Sequence, residues 1–138
     1  RPGDSGGSAV AELIYARPII PGEAEGKLLT CSEPLSFWGG YDQQTGEIID
    51  RRHPLSGRIA AGCVLALPFA RGSSTTTMVL LEAVRVGVAP VALLSTGVDA
   101  SFALASIVAK ELYAHSLPVI SLLQDDLFEL ELVPFSRD

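Results

Sequence analysis

Apolar positions along the second half of the chain come in short runs separated by polar, glycine-rich breaks. Gly62 to Pro68 and Ala89 to Ser95 are continuous apolar runs, and Pro118 to Leu123 is a third. Runs of that length without alternation are typical of strands buried on both faces. Between them, Thr76 to Arg85 places Met78, Leu80, Leu81 and Val84 at helical spacing, with Gly87 as the stop. Asp99 is placed to cap a second helix over Phe102 to His115, with Leu104, Ile107, Val108 and Leu112 as its expected inner face. This order is β-α-β-α-β, and parallel strands joined by crossover helices are expected.

The first half reads differently. Ala9 to Ile20 and Gly26 to Pro34 are candidate strands, Thr45-Gly46 is a turn, and Glu47 to Asp50 is a short extended piece. Arg51-Arg52-His53-Pro54 reads as a polar loop. Leu127 to Pro134 alternates apolar and acidic residues, as an edge strand with one solvated face does. A second, antiparallel layer beside the parallel sheet is therefore expected. The fold class is α/β, and residues 1–138 are read as one domain with residues 1–8 as a flexible leader.

Composition narrows the function. With 48% hydrophobic and 19% charged residues, the chain has the makings of a packed core. A net charge of −6 argues against nucleic acid or an anionic membrane as a partner, because phosphate binding relies on Lys and Arg. Cys31 and Cys63 lack the spacing of a metal site, and Cys63 lies in an apolar run as a small buried hydrophobe would. No signal-peptide pattern is visible, no apolar run is long enough to span a membrane, and a cytoplasmic protein is expected.

Three segments carry candidate chemistry. Arg71-Gly72-Ser73-Ser74-Thr75-Thr76-Thr77 follows a buried strand and opens a helix. Loops at the carboxyl ends of parallel strands are where open α/β sheets bind ligands, and a helix start offers unpaired N–H groups with partial positive charge. A hydroxyl at Ser73 in that field either stabilises an anion or simply caps the helix. Five hydroxyl residues exceed what a cap needs. Glu33-Pro34-Leu35-Ser36-Phe37-Trp38-Gly39-Gly40 holds Trp38, which is either a ligand contact or a core plug, beside a glycine pair that permits close backbone approach. Asp50-Arg51-Arg52-His53-Pro54 offers His53 as a base and two arginines as a carboxylate clamp, or else a solvated loop. Gly3-Asp4-Ser5-Gly6-Gly7 matches the nucleophile motif of trypsin-like proteases, but it lacks the histidine and aspartate that such enzymes carry earlier in the chain.

Pro21 to Gly26, Glu33 to Gly40, Gly46 to Pro54 and Arg71 to Ser74 occur in this order, followed by Glu111-Leu112-Tyr113 and Pro118-Val119-Ile120. Together they resemble the small subunit, or swivel domain, of the aconitase X family. The resemblance implies a swivelling β/β/α fold of three layers and a hydro-lyase that dehydrates a small hydroxy acid. It implies a large aconitase X subunit or domain as partner, carrying an iron or iron–sulfur centre, with no cofactor or metal bound by this chain. By similarity to the Gly-Ser-Ser motif of aconitases, Ser73 is the catalytic base. Arg71, Gly72, Ser74, Ser36, Trp38 and Gly39 are then expected to bind substrate. Classical aconitases follow that motif with Arg-Glu; Thr75-Thr76 stand there instead, which disfavours a tricarboxylic acid. The family's substrates point to cis-3-hydroxy-L-proline, with phosphomevalonate as the alternative. A stand-alone anion-binding module without catalysis is the competing reading of the residues themselves.

Overall fold

Ala92 to Thr96 form the middle strand of the main sheet, and the fold is built outward from it. The computed structural model describes residues 26–71, 73–97, 99–122, 125 and 127, together with the backbone of 16–20. In chain order the elements are β1 (Ala16–Ile20), β2 (Leu28–Thr30), β3 (Leu35–Ser36), β4 (Val64–Ala66), β5 (Ala70–Arg71), α1 (Ser73–Val86), β6 (Ala92–Thr96), α2 (Ala100–Tyr113) and β7 (Val119–Leu122). The main sheet runs β1-β7-β6-β4-β2. Its last four strands are parallel, and β1 pairs antiparallel with β7 at the edge.

The register explains why the apolar runs are continuous. Leu29, Leu65, Leu93 and Val119 are successive partners across the sheet. Their neighbours Thr30, Ala66, Leu94 and Ile120 form the adjacent row. Side chains alternate between faces, so the two rows point to opposite sides. The first row joins one core with Val79, Leu80 and Ala83 of α1, Phe102 and Ala105 of α2, and Leu35, Phe37, Tyr41 and Ile48. On the other face Ala66 and Leu122 pack with Leu127. Both faces are covered, so no polar alternation is needed. The strand order β4-β6-β7 advances in one direction, and right-handed crossovers then put α1 and α2 on the same face. The two helices pack along each other there.

The α/β class and the parallel sheet are as the sequence predicts, and the helix stops are where expected. Gly87 ends α1 with φ at 86°, and Asp99 caps α2. Among the described residues, antiparallel pairing in the second layer is confined to the bridges Tyr41–Ile48 and Glu47–Ile59 around the Thr45-Gly46 turn. The two-stranded ladder of that layer, β3 with β5, is parallel. Both of its strands run into loops at the same end of the sheet, and a connection through β4 leaves them pointing the same way. Of the strand expected over Leu127 to Pro134, only Leu127 is described, and it is helical and buried. The remainder of that segment, residues 9–15 of the first expected strand and the leader 1–8 lie outside the described residues.

The inner face of α2 differs from the expected one. Phe102, Ala105, Ser106 and Ala109 are buried, whereas Leu104 and Ile107 are each 51% exposed and Leu112 is 63% exposed. Val108 is half-buried. A helix this apolar presents no single stripe, so periodicity alone does not choose a face. Packing chooses it: Ala105 shares a cluster with three α1 residues, and small side chains let two helices approach closely. Ser106 turns inward because its hydroxyl donates to the Leu117 carbonyl at 2.5 Å. Met78 is likewise exposed, on the outer side of α1, while Val79, Leu80, Ala83 and Val84 face inward.

Candidate functional site

The loop from Arg71 to Ser74 leaves β5 and enters α1, and Ser73 is the first residue of that helix. The hydroxyls further into the helix do not serve as caps. The Thr76 hydroxyl donates back to the Arg71 carbonyl at 2.8 Å, and the Thr77 hydroxyl donates to the Ser101 carbonyl in the first turn of α2 at 3.1 Å. Both threonines are buried. Two of the five hydroxyls are thus struts that fix the helix start, while Ser74 is exposed. Arg71 is also exposed, and the first turn of α1 contains no acidic residue. The positive end of the helix and one guanidinium therefore face solvent together, a field that favours an anion.

The second motif reaches this loop through the sheet. In the β3–β5 pairing, Ser36 is the register partner of Arg71. The Ser36 hydroxyl donates to the Trp38 carbonyl at 3.2 Å. Phe37 is fully buried and lies edge-on to Phe102 with ring centroids 5.8 Å apart, and it stacks on Tyr41 at 5.3 Å. Burial of Phe37 contributes about 1.5–3 kcal/mol and locks the segment against α2. Its neighbour Trp38 is 70% exposed, which removes the core-plug role. The glycine pair divides its work. Gly39 has φ at 80°, a turn conformation that favours glycine, and a Cβ at Gly40 would collide with the Ser36 carbonyl. The structure brings Ser36, Trp38 and Gly39 to the strand that leads into Ser73. Gly72 lies outside the described residues.

His53 does not act as the free base that the sequence offers. It is only 7% exposed, and both ring nitrogens are engaged: Nδ1 accepts from the Leu55 N–H at 3.1 Å, and Nε2 lies 3.3 Å from the Glu33 carbonyl. Accepting at Nδ1 requires the proton at Nε2, so the ring donates to Glu33. His53 thereby ties the third motif to the start of the second. Arg51 and Arg52 are exposed, and the Arg52 N–H donates to the Asp50 carboxylate at 3.0 Å, which shapes the turn.

Asp99 is the residue whose role sequence reasoning reads incompletely. One carboxylate oxygen accepts from the Ser101 N–H at 3.0 Å, the Ser101 hydroxyl at 2.5 Å and the Phe102 N–H at 3.3 Å, as a cap does. The other accepts from the Ala70 N–H at 2.9 Å, directly before Arg71. The cap was legible in the sequence; the second bond needs the fold.

Ionisable groups with displaced pKa values lie away from this loop. Burial holds the Tyr41 phenol far above its ordinary range, with its hydroxyl donating to the Val88 carbonyl at 2.8 Å. Burial also pushes the Cys63 thiol up, against the opposing pull of Lys27 and Arg58. The Glu82 carboxylate is lowered chiefly by its hydrogen bond from Arg85. The cysteine sulfurs are engaged, Cys31 accepting from the Glu33 N–H and Cys63 donating to the Ile59 carbonyl. Among the described residues no three His, Cys, Asp or Glu side chains gather as a metal site. Among them, too, no helix is long and apolar enough to cross a membrane.

Comparison with known proteins agrees with the fold. The chain is 47% identical to a cis-3-hydroxy-L-proline dehydratase from Pseudomonas aeruginosa over 92% of its own length, and it spans only 22% of that relative. It is 34% identical to the phosphomevalonate dehydratase small subunit of Methanothermobacter thermautotrophicus, covering 85% of each chain. The crystal structure of Thermococcus kodakaraensis aconitase X in its holo-form superposes with a TM-score of 0.69, at 28% identity, over 78% of each chain. Residues 13–133 match the aconitase X swivel domain. The chain belongs to the aconitase X swivel domain family.

Proposed function

We propose that this chain is the swivelling part of an aconitase X-type hydro-lyase and that Ser73 abstracts the substrate proton during dehydration of cis-3-hydroxy-L-proline. The observation that carries the proposal is the convergence of three separate motifs on one helix start. The Ser36–Arg71 pairing joins the second motif to the first, and the His53–Glu33 contact joins the third to the second.

A serine hydroxyl is a weak base, so its alkoxide has to be stabilised. The start of α1 supplies N–H groups and the positive end of the helix dipole, Arg71 adds a full charge, and no acidic residue in the first turn opposes them. As alkoxide, Ser73 takes the proton from the carbon bearing the carboxylate. The released electron pair forms the new double bond while the neighbouring C–O bond breaks, its electrons leave with the hydroxide, and the hydroxide departs as water on taking up the proton that Ser73 received, which restores the alkoxide. Ser74, Ser36, Trp38, Gly39 and Gly72 border the substrate in this reading, and closure against the large part excludes water. We place the iron or iron–sulfur centre on that large part and derive no step through it.

Thr75 supports a small substrate. It stands where the classical aconitase motif carries its carboxylate-binding arginine, and a threonine brings no positive charge for a further substrate carboxylate. A second reading, phosphomevalonate as substrate, is favoured by the match over 85% of an archaeal small subunit. In that case Ser74 and the helix start hold the phosphate.

The test is a dehydration assay of the chain assembled with its large part, anaerobic and iron-replete, on cis-3-hydroxy-L-proline and phosphomevalonate in parallel. Turnover of hydroxyproline only when both parts are present is the expected result. Turnover of phosphomevalonate alone replaces the substrate. Turnover of neither by a loaded, assembled complex overturns the proposal in favour of a non-catalytic anion-binding module.

A further inference from the structure

The Asp99 carboxylate bridges two elements that meet only in the folded chain. Its Oδ1 gathers the first turn of α2, and its Oδ2 holds the Ala70 N–H, one residue before Arg71. On the far side of the same loop, Thr76 bonds the Arg71 carbonyl and Thr77 bonds the Ser101 carbonyl. Ala70 is therefore held by Asp99, and Arg71 and the start of α1 by the two threonines, with α2 taking part on both sides. Capping α2 alone needs one oxygen; the second oxygen is spent on the strand that delivers Ser73.

We infer that Asp99 is a positioning residue for Ser73: its bond to the Ala70 N–H sets where the Arg71–Ser73 segment leaves β5. This rests on the reading of Ser73 as the proton-abstracting residue. Displacement of a reacting group by about 1 Å costs on the order of 100-fold in rate, so a single tether at the root of the loop is enough to matter. Asp99 touches neither the substrate nor the reacting atoms, and its effect passes through Ser73.

The distinguishing variant is Asp99→Ser. Serine caps helices about as well as aspartate, but its single hydroxyl serves the α2 first turn and leaves the Ala70 N–H without its partner. In the assembled enzyme, on whichever hydroxy acid the wild type turns over, kcat is expected to fall about 10–100-fold. KM is expected to rise by less than kcat falls, because Ser36, Trp38 and Gly39 lie outside the displaced loop and keep their share of the substrate contacts. Hydrogen exchange is expected to show faster exchange at Ala70 with the α2 amides unchanged. Asp99→Asn forms the second arm: with its carbonyl oxygen on the α2 cap, its NH2 faces the Ala70 N–H, donor against donor, and the same kcat loss is expected. Unchanged kcat with a freed Ala70 amide overturns the inference, and so does failure of both variants to assemble, which would make the carboxylate a requirement of the fold. Ser73→Ala run alongside separates the two ideas. Full turnover in that variant removes Ser73 from the base role, whereas its loss together with an unaffected Asp99→Ser variant removes only the tether.

Discussion

Ser36 and Arg71 stand opposite each other in the parallel pairing of β3 with β5, and this places the Trp38 loop beside the start of α1. Neither residue is in the main sheet. The short ladder serves to juxtapose two loops, and the consequences for the site are open to direct measurement.

Ser73→Ala is expected to lower kcat of the assembled enzyme by about 10²–10⁴-fold, the usual contribution of a positioned base. Its stability is expected to fall by no more than about 1 kcal/mol, the worth of a helix cap, with assembly intact. Steady-state kinetics and a melting curve on the same preparation check both parts.

Trp38→Ala is expected to leave folding stability within about 0.5 kcal/mol, since the side chain is exposed and Phe37 does the anchoring. A rise in KM with stability unchanged would place the indole at the substrate or the closing interface. Chemical denaturation and a substrate titration separate the two effects.

His53→Ala removes a buried ring that bonds on both sides. It leaves the Leu55 N–H and the Glu33 carbonyl unpaired, at a cost of about 1–3 kcal/mol. At temperatures where the variant is folded, its kcat is expected to match the wild type. A large kcat loss at full folding would return His53 to a chemical role.

Tyr41→Phe tests the alkaline limb of stability. The folded phenol is held above its ordinary value of 10.0, so the folded state keeps a proton that the unfolded state gives up. Stability from this group is complete below pH 10 and declines as pH rises above it towards the raised folded value. The Phe variant, which also strands the Val88 carbonyl, is expected to be about 1 kcal/mol less stable at neutral pH and to lose less stability above pH 10. Denaturation midpoints at pH 8 to 11 for both proteins are the measurement.

Ile107→Lys is expected to change stability by less than about 0.5 kcal/mol, because the side chain lies on the outer face of α2. Ala105→Leu, on the inner face, is expected to cost about 1–3 kcal/mol through overpacking against α1. The reverse ranking in urea denaturation would restore the face that the apolar spacing suggests.

What was legible in the chain follows from local rules. Continuous apolar runs at 62–68, 89–95 and 118–123 announced buried parallel strands, Gly87 announced a helix stop, and Asp99 announced a cap, because each needs only its immediate neighbours. The order of the motifs likewise points to the family. Three matters were decided by tertiary contact. The inner face of α2 went to Ala105 and Ala109 over Leu104 and Ile107, since periodicity does not orient a helix that is apolar nearly all round. Trp38 went outward because Phe37 took the place in the core. Asp99 acquired a second partner because β5 and the start of α2, distant in sequence, come together at one end of the sheet. Sequence patterns carry the period and the ends of each element; which side chains meet across elements is set by packing, and packing exists only once the chain has folded.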